Sequence, residues 1–239
     1  MNCDARLAEN LRGVLVFDLD DTLYPEADYV KSGFEAVGRW LEDSQDVRGF
    51  AALAWALHCE GLRGKVFDLA LERLGLAQDE VLIRSMIDVY RAHAPTIALA
   101  TETSGLLRTL AARARLCLIS DGPLQSQMAK VKALGLCDYF DHIRCTDEWG
   151  REFWKPHPRA FREVAALFPM SGPWRYTYIG DNPAKDFVAP RAMGWRSLRL
   201  RREGGLHERA EPADADNCAE AEISTLAELP AVLSGWGLV

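Results

Sequence analysis

Four consecutive apolar residues, Val14, Leu15, Val16 and Phe17, stop without transition in Asp18-Leu19-Asp20-Asp21-Thr22, and this junction constrains the fold more than any other stretch of the chain. A run of β-formers that is apolar at every position has no wet face, so it predicts a strand buried on both sides, as in a parallel sheet covered by helices. The acidic stop predicts that the strand's carboxyl end opens into a polar loop. The pattern recurs twice: Leu116 to Ile119 precedes Ser120-Asp121-Gly122-Pro123, and Tyr176 to Ile179 precedes Gly180-Asp181-Asn182-Pro183.

Helical periodicity fills the intervals, at Ser104 to Ala114, Leu124 to Leu134, Pro158 to Phe168 and Ala184 to Met193. Buried strands alternating with helices predict an α/β fold with a doubly wound, Rossmann-like parallel sheet. Ligands bind such sheets in the crevice at the carboxyl ends of the strands, where all three polar loops fall. The stretch from Pro25 to Pro95 breaks the alternation with four helical patterns: Tyr29 to Leu41, Val47 to His58, Lys65 to Leu74 and Asp79 to His93. An all-helical insertion after the first strand predicts a cap over the crevice, returning through Ala94 to Thr103. The expected organisation is a catalytic core of residues 1–24 and 100–239 with a helical cap of residues 25–99. Hinges are expected at Tyr24-Pro25 and in the return linker.

A chain of 239 residues is long enough to bury a core and such an insertion. Its net charge of −7 argues against a nucleic-acid partner, since phosphate backbones are met by clustered Lys and Arg. Arg196, Arg199, Arg201 and Arg202 interleave with Leu198 and Leu200, which reads as a strand with one wet face at a solvated edge. The six cysteines, Cys3, Cys59, Cys117, Cys137, Cys145 and Cys218, form no CxxC pair, so neither zinc nor redox chemistry is signalled. The start lacks a signal-peptide pattern and no apolar stretch reaches the ~18 residues of a membrane span, so a reducing cytoplasm is expected. Residues 203–222 read as a loop excursion before a last helix, Thr225 to Leu233. No feature sets the oligomeric state.

Asp18-Leu19-Asp20-Asp21-Thr22 matches a DxDxT signature, followed in order by Ser120, by Lys155 in Lys155-Pro156-His157-Pro158, and by Gly180-Asp181-Asn182-Pro183-Ala184-Lys185-Asp186. In these motifs the chain, from about Val14 to Leu200, resembles the haloacid-dehalogenase-like hydrolase superfamily, in its phosphatase branch. The resemblance implies a Mg²⁺-dependent phosphatase acting on a small phosphorylated metabolite through an aspartyl-phosphate. Asp18 is the expected nucleophile, since a strand-tip carboxylate can attack phosphorus in line. Asp20, two residues on and so on the same side, is the expected general acid, then base, and that task calls for a raised pKa. Ser120 Oγ with the backbone N–H groups of Asp121 and Gly122 can bind the phosphoryl oxygens, and Lys155 adds a point charge that steadies Asp18.

Mg²⁺ takes a few carboxylate oxygens plus waters, so the expected metal set is Asp18, Asp181, the Asp20 carbonyl and Asp186. Asp186 also fits a plain first-turn helix acid, and Asp21 and Thr22 fit loop bracing. Tyr24, Glu26 and Tyr29, just past the first motif, are the specificity candidates. Trp40, Trp55, Phe34 and Phe67 sit at helical spacing and read as cap core. The bulky run from Glu148 to Trp154 either narrows the entrance or packs on the cap. Three alternatives stay open: a phosphomutase, which keeps the whole motif set; a 2-haloacid dehalogenase, which needs neither metal nor general acid; and a non-catalytic phosphate-binding module.

Overall fold

The computed structural model describes residues 11–238, so Cys3, the start of the chain and Val239 lie outside the described residues. Six parallel strands form one sheet: β1 (Val14–Phe17), β2 (Arg115–Ser120), β3 (His142–Cys145), β4 (Tyr176–Gly180), β5 (Arg196–Leu200) and β6 (Ala221–Ile223), in the order β3-β2-β1-β4-β5-β6. The strand at the centre is the one whose sequence is continuously apolar. In β1, Leu15 and Phe17 join one hydrophobic core while Val14 and Val16 join another on the opposite face. Strand geometry alternates side chains between faces, so a strand covered on both sides must be apolar throughout.

Helices cover both faces. Leu107 and Leu110 of α5 (Thr101–Ala111), Val131 of α6 (Leu124–Ala133) and Leu229 and Leu233 of α9 (Leu229–Gly235) pack on the Leu15/Phe17 side. Phe161 and Val164 of α7 (Arg159–Leu167), with Ala189 of α8 (Val188–Ala192), pack on the Val14/Val16 side. The switch point lies at β1, whose neighbours β2 and β4 pair with it in matching register: Phe17 lies beside Leu118 and Ile179. That register brings the ends of the three apolar runs to one edge of the sheet.

Residues 26–92 contain four helices, α1 (Glu26–Gln45), α2 (Phe50–Cys59), α3 (Val66–Arg73) and α4 (Glu80–Ala92). They enclose their own core of Phe34, Val37, Leu41, Phe50, Leu57, Leu71 and Met86 among others. The buried positions of α1, Tyr29, Gly33, Phe34, Val37 and Leu41, recur every three to four residues and make the stripe that packs. Gly33 is required by a close approach: a Cβ there would lie 2.3 Å from the Tyr90 ring of α4. The return segment is tied to α1 where Thr96 N–H and Oγ1 reach Ser32 Oγ at 2.9 and 3.1 Å.

Three sequence expectations differ from the structure. Strand β5 is not a solvated edge, since β4 and β6 flank it and Arg199 is 1% exposed. The segment read as a loop excursion ends in β6, an edge strand too short and too polar to give an apolar run. The helix expected over Ala184 to Met193 contracts to Val188–Ala192, because residues 182–186 form a turn closed by the Asp186 N–H on Asn182 O at 3.0 Å.

Candidate active site

Asp18 immediately follows β1, and its N–H donates to Ile179 O at 2.8 Å, extending the ladder one residue past the strand. The backbone beneath its carboxylate is therefore held by the sheet. Lys155, from the loop between β3 and α7, is 5% exposed and donates to Asp18 Oδ1. It also reaches Asp186 Oδ1 and Tyr178 Oη, each at 2.8 Å. Burial opposes the ammonium's charge, but Asp18 and Asp186 outweigh it and hold the Lys155 pKa well above its ordinary value. Asp121 fixes the Lys155 backbone, accepting its N–H at 3.2 Å, and accepts Lys185 Nζ at 3.0 Å.

Oxygens of Asp18, Asp181 and Asp186 lie within 4.8 Å of one another. Burial, moderated by Lys155 and reinforced by Asp186, raises the Asp18 carboxyl to about 6. Burial, Asp186 and Asp18 raise Asp181 to about 9. The Asp181 carboxylate meets no donor among the described residues, whereas Asp186 is engaged with Lys155 and with the Asn182 N–H at 2.9 Å. Three clustered, buried carboxylates, of which the protein itself disfavours Asp18 and Asp181 in their ionised forms, fit a small, hard cation that supplies the missing positive charge, with Asp181 and the oxygen of Asp18 not held by Lys155 as the available donors. Gly180 permits the approach: a Cβ there would lie 2.5 Å from Asp186 Oδ2.

Asp20 stands apart from that triad. Its oxygens accept Lys130 Nζ at 2.7 and 2.8 Å, Tyr24 Oη at 2.6 Å and Gln127 Nε2 at 3.3 Å. The raised pKa expected for a general acid is contradicted here. Burial pushes the Asp20 carboxyl up, but the buried Lys130 ammonium and the three donors pull it below its ordinary value. Gln127 also accepts Ser120 Oγ at 3.1 Å, so Ser120 and Asp20 share a partner. Tyr24, expected over the nucleophile as a specificity residue, is instead buried against Asp20.

A cavity of about 790 Å³ separates the sheet edge from the helical insertion. Asp18, Asp20, Asp121, Gly122, Asp181, Glu26 and Tyr29 line it, while Ser120, Lys155 and Asp186 lie in the layer beneath. Phe34 and Phe67, read only as core, line it too; Trp40 and Trp55 pack on the insertion's core. Of the bulky 148–154 run only Trp154 reaches the cavity, held by Asp147 Oδ1 at 3.0 Å, and Trp149 packs on the sheet's own core instead of the insertion.

Sequence reading missed Lys130 and Gln127, whose signal was two polar residues three apart on a face of α6 that also carries the buried Val131. It also missed the two arginines bracing the loops at the carboxyl ends of β1 and β4. Arg199 donates to Asp181 O at 3.2 Å and to His207 O and Ala210 O at 2.8 and 2.6 Å. Arg202 donates to Asp21 O and Thr22 O at 2.9 and 2.8 Å. Asp21, at φ 54°, accepts the N–H groups of Glu26 and Leu206 at 2.9 and 2.7 Å, so it braces the loop as expected.

The chain is 26% identical over 226 residues to glyceraldehyde 3-phosphate phosphatase of Methanopyrus kandleri, a match covering 90% of this chain and 94% of that protein. Its fold superposes on a magnesium-bound HAD-hydrolase of Bacillus subtilis with a TM-score of 0.64, 19% identity, and 93% and 99% of the two chains covered. It also superposes on a 2-haloacid dehalogenase of Pseudomonas syringae with a TM-score of 0.63, 25% identity, and 95% and 100% coverage. The family model for haloacid dehalogenase-like hydrolases matches residues 13–194, most of the chain, and the protein therefore belongs to that family.

Proposed function

We propose that this protein is a Mg²⁺-dependent phosphoric monoester hydrolase that attacks a small phosphorylated metabolite with Asp18. The observation that carries the reading is the pair of carboxylates at the sheet edge, Asp18 bonded to Lys155 and Asp181 without a donor among the described residues, with oxygens within 4.8 Å of each other. A halide leaves without a proton or a metal, so a general acid at Asp20 and a cation held by Asp18 and Asp181 would serve a phosphate ester more than a haloacid. The fold is common to both chemistries and does not choose between them.

In this reading Asp18 Oδ attacks phosphorus, the ester P–O bond breaks and an aspartyl-phosphate forms; water then attacks phosphorus and restores Asp18. Lys155 opposes the effect of burial on Asp18, favouring its ionised form, and would neutralise charge on the phosphoryl oxygens. The Asp121 and Gly122 N–H groups would bind those oxygens, with Ser120 beside them. Asp18 and Asp181 would hold Mg²⁺, with the Asp20 carbonyl completing the set and Asp186 orienting Lys155 and the loop. When bound, the cation offsets the phosphate's negative charge and aligns it for in-line attack. Asp20, ionised against Lys130, is ready to take a proton from the attacking water. Donating one to the leaving oxygen requires Asp20 to part from Lys130.

The helices of residues 25–99 act as a cap that excludes water from this chemistry. Tyr29 of α1 is the link between cap and acid, since Lys130 Nζ lies 4.3 Å from its ring centroid. The buried thiols of Cys117 and Cys145 suit a reducing cytoplasm. Phosphate release from a panel of monoesters, with and without chelator, tests the reading. Release that chelation leaves unchanged removes the metal, and halide release from 2-haloacids without Mg²⁺ replaces the phosphatase with a dehalogenase.

A further inference from the structure

The two sides of the 790 Å³ cavity differ in chemistry. The sheet side presents the carboxylates and Lys185. The insertion side presents Phe34, Val66, Phe67, Ile83, Ile87 and Tyr90. Three of these rings pack against one another, with centroids 6.1 Å apart for Phe34 and Phe67, 5.9 Å for Phe34 and Tyr90, and 5.9 Å for Phe67 and Tyr90. Gly33 lets α1 press on Tyr90, so this wall is fixed before any ligand arrives. Of the polar residues on that side, Glu26, His58 and Asp68 are half-buried and Tyr29 is buried, while Arg63, Lys65 and Arg91 are exposed, and Arg63 is folded back on the carbonyls of His58 and Leu62 at 2.7 and 2.9 Å. The three basic side chains supply long-range attraction for an anion, and the contiguous surface on this side is the apolar one.

An apolar wall opposite a phosphate site is bound productively only by a leaving group that covers it. The volume lies in the upper part of the ~300–1,000 Å³ range of small-molecule sites, well beyond what a three-carbon ester fills. We propose that the monoester this site accepts carries an apolar, ring-sized leaving group seated on the Phe34–Phe67–Tyr90 wall, an inference that rests on the phosphatase reading. Phosphate anchored at Asp18 then points its ester oxygen past Asp20 toward the insertion. A short polar ester of the glyceraldehyde 3-phosphate kind would leave the wall wet.

The test is kcat/KM in Mg²⁺ for ethyl, n-butyl and 2-phenylethyl phosphate, whose alcohols are of nearly equal basicity, with glyceraldehyde 3-phosphate alongside. The expected result is a rise of at least about tenfold from ethyl to 2-phenylethyl phosphate, as burial of an aromatic ring supplies. A flat series, or a preference for glyceraldehyde 3-phosphate, overturns the proposal while leaving the phosphatase reading intact. Failure of every ester, p-nitrophenyl phosphate included, overturns both. Ile87→Gln, on the cavity face of α4, should cut the 2-phenylethyl to ethyl ratio at least about fivefold. That ratio is independent of how much enzyme folds, and its survival unchanged would sink the assignment of this wall.

Discussion

The sheet edge and the helical insertion meet at one cavity but are built on opposite terms. At the sheet edge, every functional group is held by a strand end or a buried ion pair: Asp18 by the ladder, Lys155 by two carboxylates, Asp181 by Arg199 through its carbonyl. In the insertion, the wall is made of hydrophobic side chains, of which Phe34, Val66, Phe67, Ile83 and Tyr90 belong to or pack on the insertion's own core. In the proposed reading the contrast separates two demands: chemistry requires charges fixed to fractions of an ångström, whereas selection of a leaving group requires shape and apolar area. Damage at the edge should abolish turnover, and damage to the insertion should redirect it.

The largest effect belongs to Asp18→Asn, which should lower kcat by about 10⁴-fold or more at unchanged far-UV circular dichroism. Activity above about a hundredth of wild type would break the comparison at its root. Next, Asp20→Asn should slow alkyl phosphates by roughly 10²- to 10⁴-fold and p-nitrophenyl phosphate less, because a phenolate leaves with little help. Equal losses on both esters would mean that Asp20 acts by holding Lys130 and not by moving a proton.

Lys130→Met tests the seam between the regions. It strands the Asp20 carboxylate in a buried setting, and since Asp20's side chain keeps 20% exposure the loss should fall near the low end for broken buried pairs, about 3 kcal/mol by chemical denaturation. A neutral result would show Asp20 already solvated. Gly33→Ala, inside the insertion, forces a Cβ onto Tyr90 and should cost about 1–3 kcal/mol. It should raise KM for apolar esters while the Mg²⁺ response of the sheet edge stays as in wild type.

The smallest effect is a shift of Tm with metal. Asp18 and Asp181 titrate above their ordinary values, at about 6 and about 9, so the fold disfavours their ionised forms. Their contribution to stability is complete below the unfolded pKa near 4 and is lost as pH rises through those values. Mg²⁺ would supply the missing counter-charge, so it should raise Tm by a few degrees at pH 8 and by less at pH 5. A larger gain at pH 5 would show that other groups bind the ion. Asp181→Asn should erase the difference.

Much of this architecture was legible because burial on two faces leaves a short run of β-formers, apolar at every position and bounded by turn residues. Val14 to Phe17 had to be central and parallel, and the motif residues Asp18, Ser120 and Asp181 had to share an edge once their strands were parallel. Edge strands leave no such mark: His142–Cys145 and Ala221–Ile223 have one neighbour each, carry polar side chains, and were invisible. Asp20 shows the same limit within the site. Its spacing from Asp18 was written in the chain, but its pKa was set by Lys130, a residue 110 positions away that local sequence gives no reason to pair with it. The sequence by itself determined which residues end the buried strands and hence where chemistry gathers, because side-chain period and hydrophobicity are local. Only the tertiary structure decided which charges meet, that Arg199 is buried and that Phe34 and Phe67 face a cavity, because pairing and exposure depend on segments brought together from distant parts of the chain.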